Sequence, residues 1–203
     1  MFHLKVLQPT NLKDKAFLEE LKSLDANLQV VVAFRMLPKA VWQMPEHGTF
    51  NLHASLLPQY RGAAPINWAI INGETETGVS TFFIDEKIDT GNIILQKTER
   101  ILPADSVGDL HDRLMELGAN LVVETCKQIE AGTVTRQPQN ENMALKPAPK
   151  IHKDTCRIDW NASLESIYNH IRGLSPYPGA WTMLVNDGQE DQMKIFKTET
   201  IMI

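Results

Sequence analysis

The chain has 203 residues, 43% of them apolar, and a formal net charge of −5. That is enough for one large domain, or a domain with a small appendage, around a genuine core, and the charge excludes a molecule coated in basic surface while leaving room for a local basic patch. The two cysteines, Cys126 and Cys156, form no CxxC, which excludes a disulfide scaffold or zinc ribbon and fits a reducing cytosol; with no run of about 20 apolar residues and no signal-peptide pattern, a cytoplasmic protein is expected.

In chain order, residues 4–7 predict a short strand ending at Pro9, and Phe17, Leu18, Leu21 and Leu24 recur at helical spacing over residues 14–24. The run from Leu28 to Phe34 is β-branched and almost uninterrupted in apolarity, which predicts a parallel strand covered on both faces. Pro38 favours a short helix to Met44, and after Gly48 a strand is expected over residues 49–53, completing a βαβ unit. Pro65 opens a helix that Asn72-Gly73 ends, with Ile66, Ala69 and Ile70 inward. Val79–Ile84 and Ile93–Gln96 read as a hairpin around a long polar turn. Ser106 followed by Asp109 resembles a capping box, opening the longest helix with Leu110, Leu114, Leu121, Val122 and Ile129 as its stripe and Gly132 as its stop.

Composition then changes. Residues 136–154 are polar and proline-rich and read as a linker between a catalytic domain at 1–135 and a smaller unit at 155–203. That unit carries a short helix with Leu164, Ile167 and Ile171, and two strands around the Asn186-Asp187-Gly188 turn. There are no repeats, low-complexity blocks or heptads.

The stretch with chemistry in it is Asn51 to Pro65. Residues i and i+2 of a strand share a face, so Asn51 and His53 project together while Leu52 turns to packing. The strand then breaks into a loop, the place where open α/β sheets present ligands. Histidine exchanges a proton near neutral pH, an amide donates to an oxyanion, and Asp89 sits in a loop able to return to the same sheet edge. No Ser or Cys occupies a nucleophile elbow, so the grouping suits direct attack by a substrate nucleophile on a carbonyl. On spacing alone, two satisfied polar groups at a strand end remain the alternative.

Ser55 reads as a turn former. Arg61 and Gly62 either hold an anion or close the loop. Asp85 and Glu86 read as solvated, and His3, His111 and His170 as ordinary. No cluster has metal spacing, and neither a Walker loop nor G-x-G-x-x-G is present, so no metal and no nucleotide cofactor are expected. Lys146, Lys150, His152, Lys153 and Arg157 are either a solvated stretch or a strip for phosphate backbone.

Asn51-Leu-His53-Ala-Ser55-Leu-Leu-Pro58 and Arg61-Gly62-Ala-Ala-Pro65, followed by Thr77-Gly78-Val79 and Ile88-Asp89-Thr90-Gly91, closely resemble the folate-dependent formyltransferases. Ala148-Pro149-Lys150, Arg157-Ile158-Asp159-Trp160 and residues 171–180 look like the linker and second-domain entry of the branch acting on methionyl-tRNA. The resemblance implies an α/β fold: part of a doubly wound, mostly parallel sheet, then a linker and the start of a small β-rich domain. It implies formyl transfer from 10-formyltetrahydrofolate to the α-amine of initiator methionyl-tRNA. Asn51 would stabilise the tetrahedral oxyanion, His53 would assist and move protons, and Asp89 would hold His53 and a proton-relaying water. Phe34, Arg35, Met36 and Leu37 would line the pterin pocket, and Ser55, Leu56, Leu57, Pro58, Arg61 and Gly62 would complete the substrate site. Lys146, Lys150, Lys153 and Arg157 would meet tRNA. A monomer without metal or membrane contact is the expectation.

The family opens with a further βαβ half carrying a Gly-containing loop and a basic insertion, and its second domain is longer. The chain is therefore expected to be truncated at both ends, with an exposed hydrophobic sheet edge. Sugar-nucleotide N-formyltransferase, formyltetrahydrofolate hydrolase and a non-catalytic folate- or tRNA-binding fragment are the rival readings.

Overall fold

The computed structural model describes residues 4–33, 35–199 and 201. The first helix, α1 (Lys15–Ser23), is capped by Asp14, whose side chain accepts from the Phe17 N–H. Phe17, Leu18 and Leu21 are half-buried as their spacing predicts, while Leu24 at the C-cap is exposed. The expected strand at residues 4–7 is absent. Leu4 and Val6 are exposed, and no described strand supplies the ladder that an extended segment needs.

The sheet runs in the order β1 (Gln29–Val32), β2 (Thr49–His53), β3 (Glu76–Phe83), β4 (Ile93–Arg100). β1 and β2 are parallel across the short helix α2 (Lys39–Trp42), which is the expected βαβ unit with Pro38 as N-cap. β3 pairs antiparallel with both β2 and β4, so the predicted hairpin forms and this mixed sheet has one parallel pairing among its four described strands. The expectation that β1 is covered on both faces fails. Val30 is 42% and Val32 55% exposed. An unbroken apolar run reports what both faces would tolerate, whereas no described element covers the face of Val30 and Val32.

Behind the sheet lies α4 (Val107–Glu130), opened by the reciprocal Ser106–Asp109 capping box. Leu110, Leu114 and Leu121 are buried in one core with Val79 and Ile70, and Phe50 joins Ile94 and Ile129 in a second. Leu52 packs against Gly118 of α4. The faces thus sort as strand geometry requires, Phe50 and Leu52 toward the helix and Asn51 and His53 away from it. A fully buried polar pair spans the helix–sheet contact: the Thr125 hydroxyl donates to the Leu121 carbonyl and takes the Thr81 hydroxyl at 2.8 Å.

α3 (Pro65–Ile71) follows the loop after β2 and packs against α5 (Leu164–Arg172) of the C-terminal unit. There Cys156, Ile158, Ile171, Leu174, Ala180 and Trp181 form a separate small core. Leu164, expected inward, is 60% exposed at the first position of α5. β5 (Ala180–Asn186) and β6 (Gln189–Ile195) close the hairpin through Asp187 and Gly188, both at positive φ as a two-residue type I′ turn demands. No described helix is long and apolar enough to cross a membrane.

Candidate active site

A cleft of about 1660 Å³ opens at the C-terminal end of β2 and is lined by Asn51, His53, Gly62 and Asp89 together with apolar residues of β1 and its following loop. Asn51 and His53 reach it from one face of β2, opposite Phe82 and Ser80 of β3. The Asn51 amide oxygen is buried without a hydrogen-bond partner. His53 is almost fully buried and meets Phe82 edge-on at 6.5 Å.

The histidine's protonation pattern follows from its contacts. Nε2 lies 2.8 Å from the Tyr60 carbonyl oxygen. A carbonyl only accepts, so Nε2 carries the hydrogen and the neutral ring presents a lone pair at Nδ1. Nδ1 faces the Asp89 carboxylate at 3.9 Å, too long for a hydrogen bond and close enough for strong attraction once the ring is protonated. The other commitment of Asp89 Oδ2 is a hydrogen bond from the Gly62 N–H at 2.9 Å. The arrangement is a base with a fixed tautomer and a countercharge in place.

Two glycines make this convergence possible. Gly62 has φ +126, and a Cβ there would lie 2.4 Å from the Ala148 carbonyl oxygen. Gly91 passes so close to β3 that a Cβ would lie 1.7 Å from the Phe83 carbonyl oxygen. The loop of Gly62 is clasped by the following chain: Ala148 N–H donates to Arg61, and the Ala148 carbonyl accepts from Ala63 and Ala64.

Other sequence-derived site residues sort into two groups. Arg35, Met36 and Leu37 line the cleft with Gly62, and Phe34 lies outside the described residues. Ser55, Leu56, Leu57, Pro58 and Arg61 do not line it. The Ser55 hydroxyl is buried and donates to the Gln59 carbonyl at 2.6 Å, and Leu57 packs with Phe82 and Ile93, so this run braces the loop from below. Arg61 closes the loop instead of presenting a free cation: it donates to Gln139 at 2.6 and 3.0 Å and pairs with Glu141 at 3.5 Å. Of the basic residues, Lys146 is ion-paired with Glu74, whose other partner is the Tyr60 hydroxyl at 2.5 Å. Burial would raise the Glu74 carboxyl, but the bonds from Lys146 and Tyr60 outweigh it and hold the carboxyl below its ordinary value of 4.5. Burial, with Glu74 beside it, pushes the Tyr60 phenol above its usual range. Lys150, Lys153 and Arg157 are exposed, and the last two lie over the Trp181 ring at 5.6 Å each.

Two contributors escaped the sequence reading. The Tyr60 carbonyl is backbone, which residue-type reasoning does not see, and Gln139 lies in the segment read as a linker.

A model of the family described as formyl transferase matches residues 1–126, and one described as formyl transferase, C-terminal domain, matches residues 150–202. The chain belongs to the formyl transferase family. Among formyl transferases, the methionyl-tRNA formyltransferase of Flavobacterium johnsoniae is 60% identical over 199 residues, covering 98% of this chain and 63% of that relative. The chain therefore spans just under two thirds of that relative's length. Among solved formyl transferase structures, an N-formyltransferase from Helicobacter canadensis, in complex with folinic acid and dTDP-3-aminofucose, is 31% identical with a TM-score of 0.55, over 61% of this chain and 46% of that one. A 4-N formyltransferase from Francisella tularensis shares the fold at a TM-score of 0.74 with 20% identity, over 95% of this chain and 78% of that one.

Proposed function

We propose that the protein transfers a formyl group from 10-formyltetrahydrofolate to the α-amine of methionyl-initiator tRNA. The observation that carries the reading is His53, a residue lining the cleft, with Nε2–H committed to the Tyr60 carbonyl and Nδ1 facing Asp89. The 60% identity to a methionyl-tRNA formyltransferase supports the acceptor, and folinic acid in the Helicobacter canadensis relative supports a folate donor. The cleft exceeds the roughly 300–1,000 Å³ of ordinary small-molecule pockets, in keeping with two substrates that meet there.

In this mechanism the amine lone pair forms a bond to the formyl carbon, and the carbonyl π pair moves to oxygen. Asn51 stabilises that oxyanion. The amine proton passes to His53 Nδ1, where Asp89 counters the new charge. Collapse restores the carbonyl and breaks the carbon–nitrogen bond to the folate, whose nitrogen takes the proton from His53. Asp89 acts as countercharge across 3.9 Å rather than by a direct hydrogen bond. Met36 and Leu37 supply apolar wall for the pterin, and Lys150, Lys153 and Arg157 form the cationic strip for the tRNA backbone. Lys146, occupied by Glu74, contributes to the loop instead.

A formyl-transfer assay offering methionyl-tRNA, an amino-sugar nucleotide and water alone as acceptors tests this. Transfer to methionyl-tRNA in clear excess over the others is expected. Preferential transfer to the amino sugar, or release of formate without an acceptor, would overturn it.

A further inference from the structure

We infer that Gln139, in the segment between the two matched regions, is a positioning residue that fixes the Asp89 loop against the His53 loop. The inference rests on the formyl-transfer reading of this cleft. The Gln139 amide is saturated. Its Nε2 donates to the carbonyls of Asp89 at 2.9 Å and Gly91 at 2.8 Å, and its Oε1 accepts from Arg61 Nε at 3.0 Å and Nη2 at 2.6 Å. Two donors meet two carbonyls and two lone pairs meet a guanidinium, so only one orientation of the amide satisfies all four. One side chain thus ties the loop that carries Asp89 to the loop that carries Tyr60 and Gly62.

The loop it grips needs holding. Asp89 adopts φ +55, a left-handed conformation uncommon outside glycine, and such conformations persist where surrounding contacts over-determine them. With the Asp89 carbonyl captured, the carboxylate turns to the Gly62 N–H and to His53 Nδ1. Gln139 is itself anchored, because Gln137 exchanges two backbone hydrogen bonds with Ile93 at the start of β4, at 2.8 and 2.9 Å. The segment is therefore a strap docked at Ile93 and again at Ala148. Glutamate at position 139 would keep the acceptor for Arg61 and set a carboxylate against two carbonyl oxygens. Methionine would remove both halves at similar volume.

The test uses the full chain with Gln139→Glu and Gln139→Met, two near-isosteric changes at a half-buried position. Amide exchange at Gly62 N–H is read by NMR, and kcat and KM for the formyl donor by the transfer assay. Both variants are expected to speed Gly62 exchange by about 10-fold or more and to lower kcat by about 10-fold or more, with KM changed less than about 2-fold. In an Asp89→Asn background, Gln139→Met should cost less than about 2-fold, because its route to the chemistry has already been removed. Unchanged Gly62 exchange, or the same loss of kcat in both backgrounds, would overturn the inference. If the unaltered protein transfers no formyl group, the functional reading fails, and Gly62 exchange alone still decides whether Gln139 holds the loop.

Discussion

His53 is useful because a backbone carbonyl decides which nitrogen holds its proton. The Tyr60 carbonyl takes Nε2–H, leaving Nδ1 as the ring's acceptor, facing Asp89. Replacing Gly62 with alanine attacks this arrangement, since the new Cβ would meet the Ala148 carbonyl at 2.4 Å. Gly62→Ala should displace the donor that Asp89 Oδ2 accepts from and lower kcat by about 10-fold or more, with destabilisation of about 1–3 kcal/mol read from urea midpoints. Away from the site, Thr125→Val should cost about 1–3 kcal/mol, because the buried Thr81 hydroxyl loses its acceptor; a midpoint within error of the parent would contradict the donor assignment. Asn51 and His53 were legible as a pair because period-two geometry puts i and i+2 on one face. The ring orientation was not legible, because it depends on a backbone atom brought back by a loop.

Among the elements, the segment from Gln139 to Ala148 changes most between sequence and structure. Its polarity reads as linker, yet Gln139, Glu141 and Lys146 are spent on the loops around the cleft. Lys146 and Glu74 form one clasp, with Tyr60 and Asn72 in the same network. Because the Glu74 carboxyl lies below its ordinary 4.5 in the folded protein, the clasp contributes stability above pH 4.5 that is lost as pH falls through the folded value. Glu74→Gln should therefore be destabilised at neutral pH and lose less than its parent on titration to pH 3, in a melting series read against pH. His170 behaves differently. Burial lowers its imidazole below 6.5, with the bond to the Cys156 backbone offsetting part of that, and its Nε2 is buried without a partner. The unfolded chain protonates first, so α5 and its core lose stability as pH falls from 6.5; His170→Gln should flatten that limb of the melting curve. The Ser106–Asp109 capping box and the Asp187-Gly188 turn were readable because each is a local motif whose partners lie within a few residues. The docking of a segment onto loops 48 to 87 residues away leaves no periodic or spacing signal.

For the whole molecule, composition indicated a genuine core and the order of elements an α/β chain, while neither told which surfaces other elements would cover. β1 is apolar on both faces, and Val30 and Val32 nevertheless stand exposed. A net charge of −5 coexists with Lys150, Lys153 and Arg157 exposed on the C-terminal side. If that strip meets phosphate backbone, replacing each cation with alanine should weaken tRNA binding and reduce the slope of log K against log salt by about 1 per residue, with kcat at saturating tRNA unchanged. An unchanged slope would remove the strip from the interface.

On the proposed mechanism, Asn51 and His53 act on the transferring formyl group rather than on substrate binding. Single-turnover formyl transfer with Asn51→Ala and His53→Asn, set beside equilibrium binding of the folate donor, tests it most directly. Transfer is expected to fall by about 100-fold or more in each variant while donor affinity stays within about 3-fold of the parent. Near-parental single-turnover rates, with the whole defect in donor affinity, would contradict it.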